Sequence, residues 1–235
     1  MLLTYIIIAF LLTLLAHANV EKIIFIAPPA ASLPGTDLVP DDLLVGLERL
    51  TPTNNFLRTK LNASFPNPLD AEDRGTDSWF FLEGLNPGQR YEVRVCWLAT
   101  QPTAFDLSTY TLDEVLEDTA LLSAISLYSS IVSNSEESHG LFSAASDSVL
   151  FLQISAAADY FSLDKTLMEN VPPVVADVIL DPFLGNVFPR SLVPTAGWIV
   201  VVSCFAIVIA RWIAREFASV ANSADKDFKD GKKIR

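Results

Sequence analysis

SWFFLEGLNPGQRYEVRVCWL, residues Ser78–Leu98, decides how the chain is read. Its ends, Ser78–Glu83 and Tyr91–Leu98, are rich in aromatic and β-branched residues, the composition of strands. In the second run Tyr91, Val93, Val95 and Trp97 alternate with Glu92, Arg94, Cys96 and Leu98. A period of two puts the first set on one buried face. The link Gly84–Arg90 carries Pro87-Gly88, a pair suited to a tight turn. The stretch reads as two strands joined by that turn.

Working outward, Lys22–Ala27 (KIIFIA), Phe105–Thr111 and Ser148–Ser155 (SVLFLQIS) are further strand-like runs, and Leu43–Leu50 fits either a short helix or a strand. Asp113–Tyr128 changes period. Val115, Leu116, Leu122, Ile125 and Leu127 behind an acidic first turn predict a helix capped near Thr111 or Asp113. Ala30–Asp42, Pro66–Asp77 and Ser129–Gly140 are polar connections. The pattern Leu85-x-Pro87-Gly88-x-x-Tyr91-x-Val93-x-Val95 resembles the corner of fibronectin type III sandwiches, where a Leu and a Tyr plug the end of the core. The expected fold is mainly β, an antiparallel β-sandwich (fibronectin III/Ig-like) over residues 19–158 with a helical insertion.

The two ends of the chain set a topology. Ser191–Ala210 (SLVPTAGWIVVVSCFAIVIA) has no ionisable side chain apart from Cys204 and is about as long as a helix needs to cross hydrocarbon. Trp198 and Trp212 fall where interfacial aromatics are expected, giving a span over 191–212. Arg211, Arg215, Lys226, Lys229, Lys232, Lys233 and Arg235 follow it, and this excess over four acids puts the tail, 213–235, in the cytosol. At the other end Leu2–Leu15 is apolar and Ala16-His17-Ala18 is a small-x-small cleavage site, so residues 1–18 read as a signal peptide. The competing reading is an uncleaved signal anchor. Cleavage leaves a single-pass, type I protein whose N-terminal domain is lumenal.

Charge and cysteines narrow the function. The net charge of −12 conceals an asymmetry: residues 19–190 hold 24 acids and 9 bases, whereas residues 191–235 hold 4 and 7. So acidic a domain does not bind nucleic acid by counterion release. Cys96 and Cys204 fall in different compartments and cannot pair, so the domain must hold together through its core.

Residues 159–190 are apolar for a linker. Val174–Leu180 and Phe183–Phe188 are broken by Pro172-Pro173, Pro182 and Pro189. One reading has them close the sandwich. The preferred one lays Asp177–Pro189 along the membrane surface or against another membrane protein through Phe183, Leu184, Val187 and Phe188. Ala196 and Gly197 in the span, with Ser203 and Ala206, would let a neighbouring helix approach closely.

Catalytic chemistry is not announced. His17 falls in the signal peptide and His139 in a Ser/Glu-rich loop; there is no HExxH, GxSxG, Cys-x-x-Cys or phosphate-binding glycine loop. Asp113, Glu114, Glu117 and Asp118 cluster at a helix start, where acids serve the helix dipole. No catalytic, cofactor-binding or metal-ligating residues are expected. Asn62-Ala63-Ser64 is an N-glycosylation acceptor. Lys232 and Lys233 are the fourth and third residues counted back from the C-terminus, as in the dilysine signal that the COPI coat reads on endoplasmic reticulum membrane proteins.

SWFFLEGLNPGQRYEVRVCWLATQP (Ser78–Pro102), FSLDKTLMENVPP (Phe161–Pro173) and LDPFLGNVFPRSLVP (Leu180–Pro194) together resemble the fungal GPI-mannosyltransferase II co-activator family. The resemblance implies a non-catalytic, glycosylated subunit of the endoplasmic reticulum membrane. Its implied partners are membrane lipid and the multi-span mannosyltransferase that adds the second mannose to the GPI precursor. It carries over no catalytic residues. The alternative is a translocon-associated or cargo-binding module whose sandwich holds secretory polypeptides.

Overall fold

Ser78–Leu98 does form two strands, and they lie in different sheets. The computed structural model describes residues 19–30, 46–67, 69, 73–133 and 148–233, with side chains up to 218. The signal peptide, residues 1–18, His139 and the start of Leu43–Leu50 lie outside the described residues. The chain divides into two units, Met1–Pro189 and Arg190–Arg235.

The first unit contains β1 (Val20–Ile26), β2 (Glu48–Leu50), β3 (Phe56–Leu61), β4 (Thr76–Leu85), β5 (Arg90–Trp97), β6 (Thr103–Thr111), β7 (Ser148–Ala158), β8 (Val174–Leu184) and β9 (Phe188–Pro189). One sheet has the order β1-β5-β8-β3 with β9 appended to β8; the other runs β2-β4-β7-β6. Pairing is antiparallel except between β2 and β4. The inward residues of both sheets form one core: Phe80 and Leu82 of β4, Tyr91, Val93 and Val95 of β5, Leu152 and Ile154 of β7, Val178 and Leu180 of β8. Trp97 packs at its margin, so the alternation over 91–97 holds throughout.

The run SWFFL is apolar on both faces because both are covered. Its outward residues Trp79 and Phe81 join Phe151 of β7 in a second core, closed by Leu112 and Val115 of α1 (Leu112–Glu117) and Ile125 of α2 (Thr119–Ser133). A strand buried on two sides reads as a continuous apolar run. The expected single helix over Asp113–Tyr128 is thus two. Thr111 caps α1 in a reciprocal box with Glu114 (Oγ1 accepts from Glu114 N at 3.3 Å, Oε2 accepts from Thr111 N at 2.7 Å). Asp118 ends α1, and its Oδ1 accepts from Ala120 N at 2.8 Å, starting α2. Two of the four clustered acids are therefore caps.

β8 corrects the expected boundary. Val174–Leu184 is a central strand, paired with β5 from Tyr91↔Pro182 to Trp97↔Ala176 and with β3 from Phe56↔Ile179 to Leu61↔Val174. The β domain therefore runs beyond residue 158 to Pro189, and Asp177 lies within a strand. Pro182 is tolerated because the β3 ladder has ended by then, so its missing N–H costs no sheet bond. A short α3 (Lys165–Glu169), capped by Asp164, lies between β7 and β8.

The outward face of the β1-β5-β8-β3 sheet is charged. Glu92 lies opposite Asp181, both buried, and Arg94 reaches them at 3.1 and 3.4 Å, with Lys22 at 3.4 Å from Glu92. Burial pushes the thiol of nearby Cys96 upward, so it stays protonated. Further along, Arg58 donates two bonds to Asp177, at 2.6 and 2.8 Å, which hold that carboxyl below its ordinary range. A depressed folded value means stability that is present above the ordinary Asp range and lost as pH falls through the folded value. Denaturant midpoints measured across pH for Asp177→Asn should lie slightly below wild type near neutrality and converge with it on acidification.

Candidate functional site: the apolar hairpin

The chain between β8 and the second unit is a tight hairpin. Gly185 and Asn186 both have positive φ, 58° and 59°, and Val187 N donates to Leu184 O at 3.2 Å. Two left-handed central residues are the pattern of a primed hairpin turn, which Gly and Asn adopt at least cost. β9 then pairs back, Phe183↔Pro189 and Leu184↔Phe188.

The corner identified in the sequence holds this hairpin. Leu85 and Tyr91 are buried in the core, and Pro87-Gly88 forms a turn in which Gln89 N donates to Asn86 O at 3.1 Å and Gly88 has φ +75°. Tyr91 OH accepts from Asn86 N at 3.0 Å and donates to Gln89 Oε1 at 3.1 Å. Gln89 Nε2 donates to Phe183 O at 3.1 Å. Asn186 Oδ1 accepts from Arg90 N and its Nδ2 donates to Gly88 O, both at 2.9 Å. The Arg90 guanidinium stands 5.8 Å from the centre of the Phe183 ring. Turn and hairpin are one hydrogen-bonded piece.

The expected contact residues therefore divide. Phe183 is only 6% exposed and belongs to the hairpin's buried side, which removes it from the list of free surface residues. Leu184, Val187 and Phe188 are 50%, 79% and 36% exposed and form an apolar tip. Pro189 passes directly to a 3₁₀ turn, Arg190–Leu192, and then to α4 (Val193–Lys233). Four residues, Pro189 to Leu192, separate Phe188 from Val193 in the sequence.

Among the described residues one helical stretch is long and apolar enough to cross a membrane, Arg190–Ala218, whose most apolar 18 residues have a mean hydropathy of 2.4. Ala196 is half-buried, and Gly197 is exposed with open space where a Cβ would stand. The helix continues past the expected end of the span and reaches Lys233, so Lys232 and Lys233 lie on its backbone. Asn62 is exposed just after β3, while Ser64 of its sequon accepts from Thr76 Oγ1 at 3.0 Å. Among the described residues no three His, Cys, Asp or Glu side chains gather as a metal site.

Sequence reasoning missed Gln89, Arg90 and Asn186, which fix the tip. A Gly-Asn pair between apolar runs was the available hairpin signal at Gly185-Asn186. No protein-family model, curated protein or solved structure gives a significant match to the chain.

Proposed function

We propose that the protein is a non-catalytic, membrane-anchored accessory subunit whose apolar hairpin tip docks a membrane partner. The carrying observation is a hairpin locked to the domain's corner that exposes Leu184, Val187 and Phe188 within five residues of an apolar helix. A preorganised apolar tip loses little entropy on docking. In this reading the tip meets either lipid or a membrane protein.

In this reading the β domain is a lumenal sandwich of the fibronectin III/Ig kind. The span runs type I, and Lys232-Lys233 returns the protein to the endoplasmic reticulum. The resemblance described above supplies the partner: the multi-span mannosyltransferase that adds the second mannose in GPI-anchor biosynthesis. Ala196 and Gly197 offer the upper span a close helix approach.

Replacing Leu184, Val187 and Phe188 together by Ser, with Phe183 kept, should release the partner in mild detergent while the denaturant midpoint of the β domain is retained. Unchanged co-purification of the partner would refute the tip as the contact.

A further inference from the structure

A cleft of about 470 Å³ lies on the outward face of the β2-β4-β7-β6 sheet, lined by Asp73, Arg74, Gly75, Asp77, Asp106, Ser108, Tyr110, Gln153 and Ser155. The hairpin reading does not use it. We propose that it is a binding site for a neutral saccharide.

The register builds the floor. α1 and α2 cover the part of this face that carries Trp79, Phe81 and Phe151. Beyond them the outward residues turn polar in rows across the three strands: Asp77↔Ser155 and Ser155↔Asp106, then Gln153↔Ser108. The wall is the Asp73–Gly75 segment. Gly75 has φ +92°, and a Cβ there would stand 2.1 Å from Ala156 O, so only glycine brings this wall down onto β7.

The polar groups are held in place and keep bonding capacity to spare. Ser155 Oγ donates to Asp77 Oδ1 at 2.6 Å, leaving Asp77 Oδ2 to accept. Tyr110 OH donates to Gln153 Oε1 at 3.0 Å, leaving the amide NH2 to donate. Arg74 pairs with Asp106 through Oδ2, leaving Oδ1. Asp73 accepts from Asn67 N at 2.7 Å and Gly75 N at 2.9 Å, bonds that hold its carboxyl below the usual range and keep it ionised.

This inventory selects a ligand class. Three carboxylates against one guanidinium repel anions, phosphates included. The mostly polar lining gives an apolar ligand little to bury against. A cation would satisfy the carboxylates but would face the donors of Gln153 and Arg74. A sugar hydroxyl both donates and accepts, so neighbouring hydroxyls satisfy the interspersed carboxylate and amide groups together. The volume lies within the range of about 300–1,000 Å³ usual for small-ligand sites.

Two sources share this chemistry. Asn62 is exposed two residues before Ser64, which bonds Thr76, the residue between Gly75 and Asp77 of the cleft. The protein's own glycan at the Asn62 sequon is one source, and an external glycoconjugate is the other.

Saturation-transfer NMR of the full chain in lipid nanodiscs tests the proposal. Neutral methyl glycosides and disaccharides serve as probes, with inorganic phosphate and methylammonium as controls. At least one glycoside should receive saturation from Asn62→Gln protein, and Asp77→Ala/Asp106→Ala in that background should weaken it at least tenfold with the fold intact. Binding to the Asn62→Gln chain but not to the glycosylated one assigns the cleft to the protein's own glycan; equal binding assigns an external sugar. No transfer to any glycoside, transfer indifferent to Asp77 and Asp106, or binding of a control probe alone would overturn the proposal. None of these outcomes depends on the hairpin partner.

Discussion

Ending the chain at Asn170, before β8, should abolish the cooperative unfolding transition of the β domain, whereas ending it at Pro189 should preserve it. β8 contributes Val174, Ala176, Val178 and Leu180 to the shared core and lies between β5 and β3, paired with both. Each large buried aliphatic side chain is worth about 2–5 kcal/mol when truncated. Losing the whole strand exceeds the 5–15 kcal/mol or so that a domain possesses. The point-mutant form is Val178→Asp, which sets an unpaired charge in the shared core between Val95 and Leu57. Denaturant titrations followed by the fluorescence of Trp79 and Trp97 read both. A folded domain without β8 would return Val174–Leu184 to the membrane surface and refute the fold described here.

The second large effect lies on the outward face of the same sheet. Arg94→Ala should destabilise the domain by about 3–5 kcal/mol, because Glu92 and Asp181 stay buried opposite one another after their shared guanidinium is gone. Lys22, at 3.4 Å and largely in water, is a poor substitute for it. Replacing Glu92, Arg94 and Asp181 together by Leu removes the charges along with their pairing and should cost far less than Arg94→Ala alone. Denaturant midpoints of the two variants separate these cases. A loss below about 1 kcal/mol for Arg94→Ala would show that the cluster behaves as an exposed surface pair.

Legibility followed range. The corner was readable because Leu85, Pro87, Gly88 and Tyr91 act within a few residues of one another, and the alternation after Tyr91 reports one buried face directly. β8 was harder. Asp177, Asp181 and Pro182 interrupt its apolar pattern, and the groups that answer the two carboxylates, Arg58 and Arg94, stand 119 and 87 residues away. No local pattern shows that pairing, so the segment read as a membrane-surface stretch. β3 escaped because Phe56–Leu61 is short and carries Arg58 and Lys60 on its outward side. The break at Asp118 was hidden because an acid in a helical run also fits an exposed helix face. At the candidate site, composition exposed Leu184, Val187 and Phe188, but Phe183 needed the structure. Its burial depends on Arg90 and Gln89, which reach it from another strand and its turn.

The central claim is that the protein serves one membrane partner. Purification of the full chain from its own membranes in a gentle detergent, followed by mass spectrometry, tests this most directly. The account predicts one multi-span mannosyltransferase in near-equal amount, lost when Leu184, Val187 and Phe188 become Ser. A broad set of secretory polypeptides at low occupancy, or no partner at all, would contradict it.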